Sequence, residues 1–325
     1  MKKITYFTIL LTILSLLVLP LTACSGSTGK PASGELEGDF AVSGAWALYP
    51  MMTRWAEEFQ KANPKVLMDV SAGGAGKGMA DALAGVVDIG MVSRDIYPQE
   101  IQKGAWWVPV TKDAVVPTVN ENHPGLSGLL AQGVKRETFQ GIWIDGKVTN
   151  WNEVIKKNAS QQIHVYTRSD ACGAAEIWAK YLGKNQEDLL GVGVYGDPGL
   201  AEAVKKDVLG IGFNNINYAY DPGTKLPIKG MAILPIDLND NGLVDSDENF
   251  YHNRDEIVAA IAAGKYPSPP ARDLYFVSHG KPTNPLVLIF IKWVLSDGQQ
   301  YVPEAGYINL AQEKLQEQLK KLEAK

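Results

Sequence analysis

Apolar side chains recur at helical spacing in some stretches of this chain and alternate in others. In PMMTRWAEEFQKAN (50–63), Met52, Trp55, Ala56 and Phe59 share one face. Pro50 suits a first turn and Pro64 ends the run, which predicts a helix. Val66 to Ser71 alternates and reads as a strand, followed by the turn SAGGAGKG and a short helix from Met79 to Leu83. Strands are expected at 88–92, 114–119 and 163–166, and near Ile211, Met231 and 274–278. Helical patterns fall around 135–142 and 151–157, then from the 168–175 loop to about Leu182, at 199–207 and at 255–263. Pro285 to Leu295 is apolar enough for a core helix, and the tail LAQEKLQEQLKKLEAK is a charged amphipathic one. Strand, glycine-bearing turn, helix, strand is the α/β pattern, in which ligands sit at strand C-termini.

The N-terminus departs from this pattern. In residues 1–23 two lysines precede an apolar run from Ile4 to about Leu21, the layout of an export signal peptide. Leu21-Thr22-Ala23-Cys24 resembles the lipobox of bacterial lipoproteins, which makes Cys24 the lipidated first residue and the mature protein extracytoplasmic, anchored to the membrane rather than threaded through it. Residues 24–38, rich in Gly, Ser and Pro, read as a flexible tether. The remaining cysteine, Cys172, then has no disulfide partner within the chain. The formal charge of −5 becomes more acidic when Lys2 and Lys3 are removed. Without basic runs, nucleic acid is excluded as a partner.

Three loops precede helices: SGAWALYP (43–50), SAGGAGKG (71–78) and RSDACGAA (168–175). Helix starts gather anions through their free N–H groups. Together with WAEEFQKANPKVLMDVSAGGAGKGMADALAGVVDIGMVSRDI, FQGIWIDGKVTNWNEV and the run from YPSPPARDLYFV to LSDGQQYVPEAGYINL, these loops resemble the phosphate-binding proteins that serve ABC transporters, over roughly residues 40–310. The resemblance implies an α/β, two-lobed type II periplasmic-binding-protein fold with a hinge and an inter-lobe ligand cleft. Lobe 1 is expected at 38–112 plus 274–325, and lobe 2 at 113–273.

The resemblance also places ligand contacts. The family's arginine and aspartate fall on Arg168 and Asp170, and the Ser-Gly-Thr after them falls on Cys172, Gly173 and Ala174. The first-loop hydroxyl falls on Leu48, beside Ala47. The second-loop Ser and Thr fall on Ala75 and Lys77, either side of Gly76. The position after the second strand is Ser93, followed by Arg94. Four hydroxyl positions are therefore Leu48, Ala75, Cys172 and Ala174. A hydrogen bond to a charged group contributes roughly 1.5–3 kcal/mol, so phosphate affinity is expected to be weak unless backbone N–H groups, Lys77, Arg94 and Arg168 compensate. Trp46 makes the cleft more apolar. Cys172 has two readings: a thiolate favoured by the helix terminus, or a Ser-sized filler.

PIDLNDNGLVDSDENF sets Asp237, Asn239, Asn241, Gly242, Leu243, Asp245 and Glu248 at positions 1, 3, 5, 6, 7, 9 and 12 of an EF-hand calcium loop. GMAILPI upstream reads as a strand, so a structural calcium loop isolated from the usual helix pair is expected; an Asx-rich turn is the alternative. The four histidines lack metal-ligand spacing, and no catalytic set emerges. The expectation is a non-enzymatic, monomeric, lipid-anchored receptor for an inorganic anion such as phosphate, delivering it to an ABC transporter permease. A sensing or adhesion lipoprotein with a non-phosphate ligand is the alternative.

Overall fold

The computed structural model describes residues 35–155 and 160–324. The expected signal peptide, Cys24, the expected tether up to residue 34 and the end of the 151–157 helical pattern lie outside the described residues.

Eleven strands are ordered along the described chain: β1 Glu37–Gly44, β2 Lys65–Ala72, β3 Ile89–Val92, β4 Ala105–Asn120, β5 Val134–Lys135, β6 His164–Arg168, β7 Val192–Val194, β8 Gly210–Asn215, β9 Met231–Ile233, β10 Ile236–Asp237 and β11 Ala271–His279. The main sheet runs β2-β1-β3-β11-β4-β8-β6-β7, with β9 also on β4. β2, β1 and β3 are parallel, as are β8, β6 and β7. Between these groups, β4 and β11 pair antiparallel from Ala114↔Ala271 to Ala105↔His279.

Apolar burial divides along these two strands. One cluster gathers buried residues from Phe40 to Val110 and from Leu274 to Leu322. The other gathers residues from Ala114 to Ala271, together with Ile308. The first is centred on Phe290 of the helix Pro285–Val294, whose ring lies 5.3 Å from Phe40 and 5.1 Å from Phe59. The second is built on Trp178, with Trp143 at 5.4 Å and Phe213 at 5.9 Å. Each such buried aromatic contributes on the order of 1.5–3 kcal/mol. At the handover, the register of β11 against β4 shifts between Leu274 and Tyr275, opposite Pro109 and Thr111. A proline cannot donate to the ladder, and an irregularity of this kind accommodates it.

The pattern-derived helices form at Tyr49–Ala62, Ala75–Leu83, Arg136–Trp143, Gly173–Tyr181, Gly196–Lys206, Arg254–Ala262, Pro285–Val294 and Gln312–Glu323. Three differences stand out. β4 begins nine residues before the expected 114, running through Trp106, Trp107 and Pro109. The helix after SAGGAGKG starts at Ala75 rather than Met79. β1 takes in Glu37 and Gly38, the last two residues assigned to the tether, because they join the ladder to Lys65 and Val66 of β2.

Candidate functional site

β1 and β2 end side by side. Gly44 sits at φ +134°, and a Cβ there would overlap Met91 O, so only glycine lets the 43–50 loop lie on β3. Gly44 O receives the N–H groups of Gly73 (2.9 Å) and Gly74 (3.0 Å), which brings the 71–78 loop alongside. The third loop arrives from the other core cluster. Gly76 N–H donates to Ala171 O at 3.1 Å. Gly173 fits against Ser93 O and Oγ with no space for a Cβ. The three loops meet, and Arg168 lies at their junction.

Arg168 is buried, at 5% exposure, and carboxylates hold it from two sides. Nε and Nη2 donate to Asp170 Oδ1 and Oδ2 at 2.8 and 2.7 Å, and Nη1 donates to Asp197 Oδ2 at 2.8 Å. Burial alone would lower the guanidinium pKa, but the charges of Asp197 and Asp170, with the Asp170 hydrogen bonds, hold it above its ordinary value. Asp197 Oδ1 accepts from Asn215 Nδ2 at 2.6 Å, and Asn215 Oδ1 accepts from Arg272. Arg272 Nη1 donates to Gly173 O at 2.8 Å, and its Nε lies 3.1 Å from Asp113 Oδ1. That last pair is close but poorly aligned, leaving both atoms without a true hydrogen bond. Desolvation pushes the Asp113 carboxyl up to about 7, with Arg272 opposing and Asp197 reinforcing the shift. Two guanidinium groups thus face three carboxyls, which leaves the cluster with no surplus positive charge.

The other residues assigned to the site divide into those at the junction and those turned away. Ala47 and Leu48 are buried in the first core cluster, as is Ala75; Leu48 occupies the helix N-cap without a capping side chain. Lys77, expected to face an anion, pairs instead with Asp81, which also accepts from Ser43 Oγ at 2.6 Å. Arg94 is held by both oxygens of Glu100, at 2.7 and 3.0 Å, and stacks over Tyr97. Neither cation is left to replace the missing hydroxyls, because each has a carboxylate nearer in sequence. Cys172 and Ala174 pack into the second cluster. The Cys172 sulfur caps the helix, accepting from Ala175 N–H at 3.4 Å. Burial pushes its thiol up to about 12, with Arg168 opposing. This burial favours the Ser-sized filler over the thiolate, because desolvation outweighs Arg168 and the Ala175 N–H.

Sequence reasoning missed Asp113, Asp197, Asn215 and Arg272. A charge inside the apolar strand AVVPTV's leading edge, and one beside it in PPARDLYF, were available signals, since a lone charge in a buried strand requires a partner. Trp46 also meets the opposite lobe. Its indole rests 3.4 Å from the position a Gly196 Cβ would take, its ring is edge-on to Tyr195 at 6.5 Å, and its carbonyl accepts from Tyr218 Oη at 3.1 Å. Across the same seam Asp95 pairs with Lys180, and burial together with Glu176 holds the Tyr97 phenol above its ordinary range.

Paired α/β lobes on two antiparallel connecting strands, with helix-start loops meeting between them, define a two-lobed binding-protein fold of type II. Residues 27–298 match the PBP superfamily domain, and the chain belongs to that superfamily. It is 26% identical to the phosphate-binding protein PstS of Methanocaldococcus jannaschii, covering 91% of this chain and 90% of the relative. It is 25% identical to PstS of Staphylococcus saprophyticus subsp. saprophyticus, covering 94% and 90%. A putative phosphate ABC transporter substrate-binding protein with bound phosphate from Clostridium perfringens superposes with a TM-score of 0.70 at 22% identity, covering 84% of this chain and all of that one.

Proposed function

We propose that this protein is an extracytoplasmic solute-binding protein of an ABC importer, tethered through lipid on Cys24, that holds an inorganic anion such as phosphate weakly between its three loops. The meeting of the 43–50, 71–78 and 168–175 loops around Arg168 carries this reading. Near-full-length likeness to proteins named for phosphate binding supports it. The lobes are read as 38–112 plus 274–325 and 113–273, a division supported by the split of the apolar core. The protein acts as a monomer, captures its solute by hinge closure without transforming it, and hands it to the permease. Among the described residues no helix is long and apolar enough to cross a membrane.

The weakness follows from the site. Arg168 already serves two carboxylates, and the four lost hydroxyls remove donors that a dianion needs. Calorimetric titration with phosphate tests the reading. A dissociation constant well above micromolar is expected, and one of micromolar or below would show that the hydroxyls and the Asp197 contact are immaterial. A second reading, a sensing or adhesion lipoprotein with a non-phosphate ligand, is favoured by Trp46 lying against Gly196 in the cleft. It predicts no heat with phosphate, sulfate, arsenate, molybdate or tungstate.

A further inference from the structure

The 237–248 loop plays no part in the junction around Arg168. Asp237 ends β10, which pairs in parallel with β5 through Ile236↔Val134 and Asp237↔Lys135. Its side chain is almost sealed from solvent, at 2% exposure. Oδ2 accepts the N–H of Gly242 at 2.8 Å, so the carboxylate faces across the loop toward its own concave side. Oδ1 is buried and has no hydrogen-bond partner. A buried carboxylate oxygen left without a donor is strongly unfavourable. Elsewhere in the loop Asp245 Oδ2 accepts from the side-chain amides of Asn239 and Asn241, at 2.8 Å each.

Glu248, at 3% exposure, closes the loop: Oε1 accepts from Leu238 N–H (3.0 Å) and Asn239 N–H (3.2 Å), and Oε2 from Asp245 N–H (3.4 Å). Asn239 Oδ1 accepts from Asn241 N–H at 3.0 Å, and Asn241 Oδ1 from Leu243 N–H at 2.8 Å. Each amide oxygen keeps a second lone pair. Left-handed backbone at Asp240 (φ 61°) and Gly242 (φ 81°) folds the chain back on itself. Five acidic residues, Asp237, Asp240, Asp245, Asp247 and Glu248, lie within the loop, and Lys135 donates to the backbone oxygen of Asp240.

We propose that this loop is a calcium site, with the unpartnered Asp237 Oδ1 as its buried anchor. Asn239, Asn241, the Leu243 carbonyl and the two oxygens of Glu248 complete the oxygen set, and Asp245 contributes at the ninth position. Among the described residues no three Asp, Glu, His or Cys side chains already converge on a metal position. Asp245 Oδ2 is instead engaged by the side-chain amides of Asn239 and Asn241, so an ion would draw it in; the proposed set of three carboxylates with neutral amide and carbonyl oxygens is oxygen-only, which selects a hard cation over zinc or copper. A cavity of about 840 Å³, lined by Asp237, Asn241, Gly242 and Leu243 on one side and by Gly133 and Lys135 on the other, gives an ion access. Val244 N–H is bonded to Ala131 O at 3.0 Å, so an ion in the loop fastens it to the segment 131–135 and stiffens that edge of the second lobe.

The test uses the full mature chain, freed of metal with EGTA and then titrated with calcium chloride by calorimetry and by thermal unfolding. Calcium is expected to release heat and to raise the melting temperature in a concentration-dependent way. Asp237→Asn removes the buried unpaired charge. In EGTA the variant should therefore melt no lower than wild type, while its calcium-dependent shift disappears. Glu248→Gln should weaken calcium binding at least tenfold. Absence of heat and of any shift in folded wild-type protein overturns the proposal. So does a calcium shift in Asp237→Asn equal to that of wild type.

Discussion

Arg168 Nη1 donates to Asp197 Oδ2 at 2.8 Å, with side-chain exposures of 0% and 2%. Under the proposed function, Asp197 competes with a solute oxygen for this guanidinium. The exchange is testable because Asp170 keeps its two bonds to Arg168 when Asp197 is changed. Breaking one side of a buried pair costs about 3–5 kcal/mol when no second partner remains; with Asp170 in place the loss for Asp197→Asn is expected at about 2–3 kcal/mol. Added phosphate or sulfate should restore part of that stability, raising the melting temperature of the variant more than that of wild type. Equal responses of the two proteins would show that Asp197 does not compete with an anion.

The contrast between Arg168 and its partners also shows how far the sequence can be read. The helices Tyr49–Ala62 and Pro285–Val294 follow from their own residues, because the pattern of apolar positions is local and each carries its proline at the start. β4 is only half legible: Pro109 and two adjacent half-buried tryptophans disguise its first part, whose strand character comes from pairing with β11. β5 and β10, two residues each, exist only through each other. Within the site, Arg168 and Asp170 are neighbours on one loop and could be named together. Asp197, Asn215, Arg272 and Asp113 come from a helix start and three strands, and only the folded sheet brings them within reach. Lys77 and Arg94 mislead for the converse reason. Their charge is plain in the sequence, but Asp81 and Glu100, four and six residues on, take it up.

Asp113 gives a pH signature. Its carboxyl is raised to about 7 by burial, against an unfolded value of about 4. The folded state therefore binds more protons than the unfolded chain between those values, and stability contributed by this group is present at low pH and lost as pH rises from about 4 to about 7. Other carboxylates titrate in the same range, so the informative quantity is the difference between wild type and Asp113→Asn. That difference should shift against wild type as pH rises from 4 to 7 and level off above. Chemical denaturation at several pH values measures it. A pH-independent difference would place the proton elsewhere, whatever the absolute stability of the variant beside the buried Arg272.

Cys172 should be inert. With its thiol pushed up to about 12 and its sulfur facing the helix N–H of Ala175, almost no thiolate exists near neutral pH. In protein lacking Cys24, iodoacetamide at pH 8 is expected to modify Cys172 only after denaturant is added. Rapid alkylation of the native protein, particularly if phosphate slowed it, would mean that the sulfur opens to the cleft rather than to the core.

Gly173 offers a way to part the lobes without touching a charge. Its φ is not left-handed, and alanine is the better helix former by roughly 1 kcal/mol in a helix interior, so intrinsic preference favours Gly173→Ala. The added Cβ, however, would overlap Ser93 O and Oγ. One obstacle is backbone, which cannot swing aside like a side-chain tip. The clash should therefore outweigh the propensity gain, push the 168–175 loop off β3's end, and loosen the Gly76–Ala171 bond. Small-angle scattering should report a larger radius of gyration for Gly173→Ala than for wild type, together with a lower melting temperature. A variant as compact as wild type and more stable would show that helix propensity prevails and that Ser93 yields without separating the lobes.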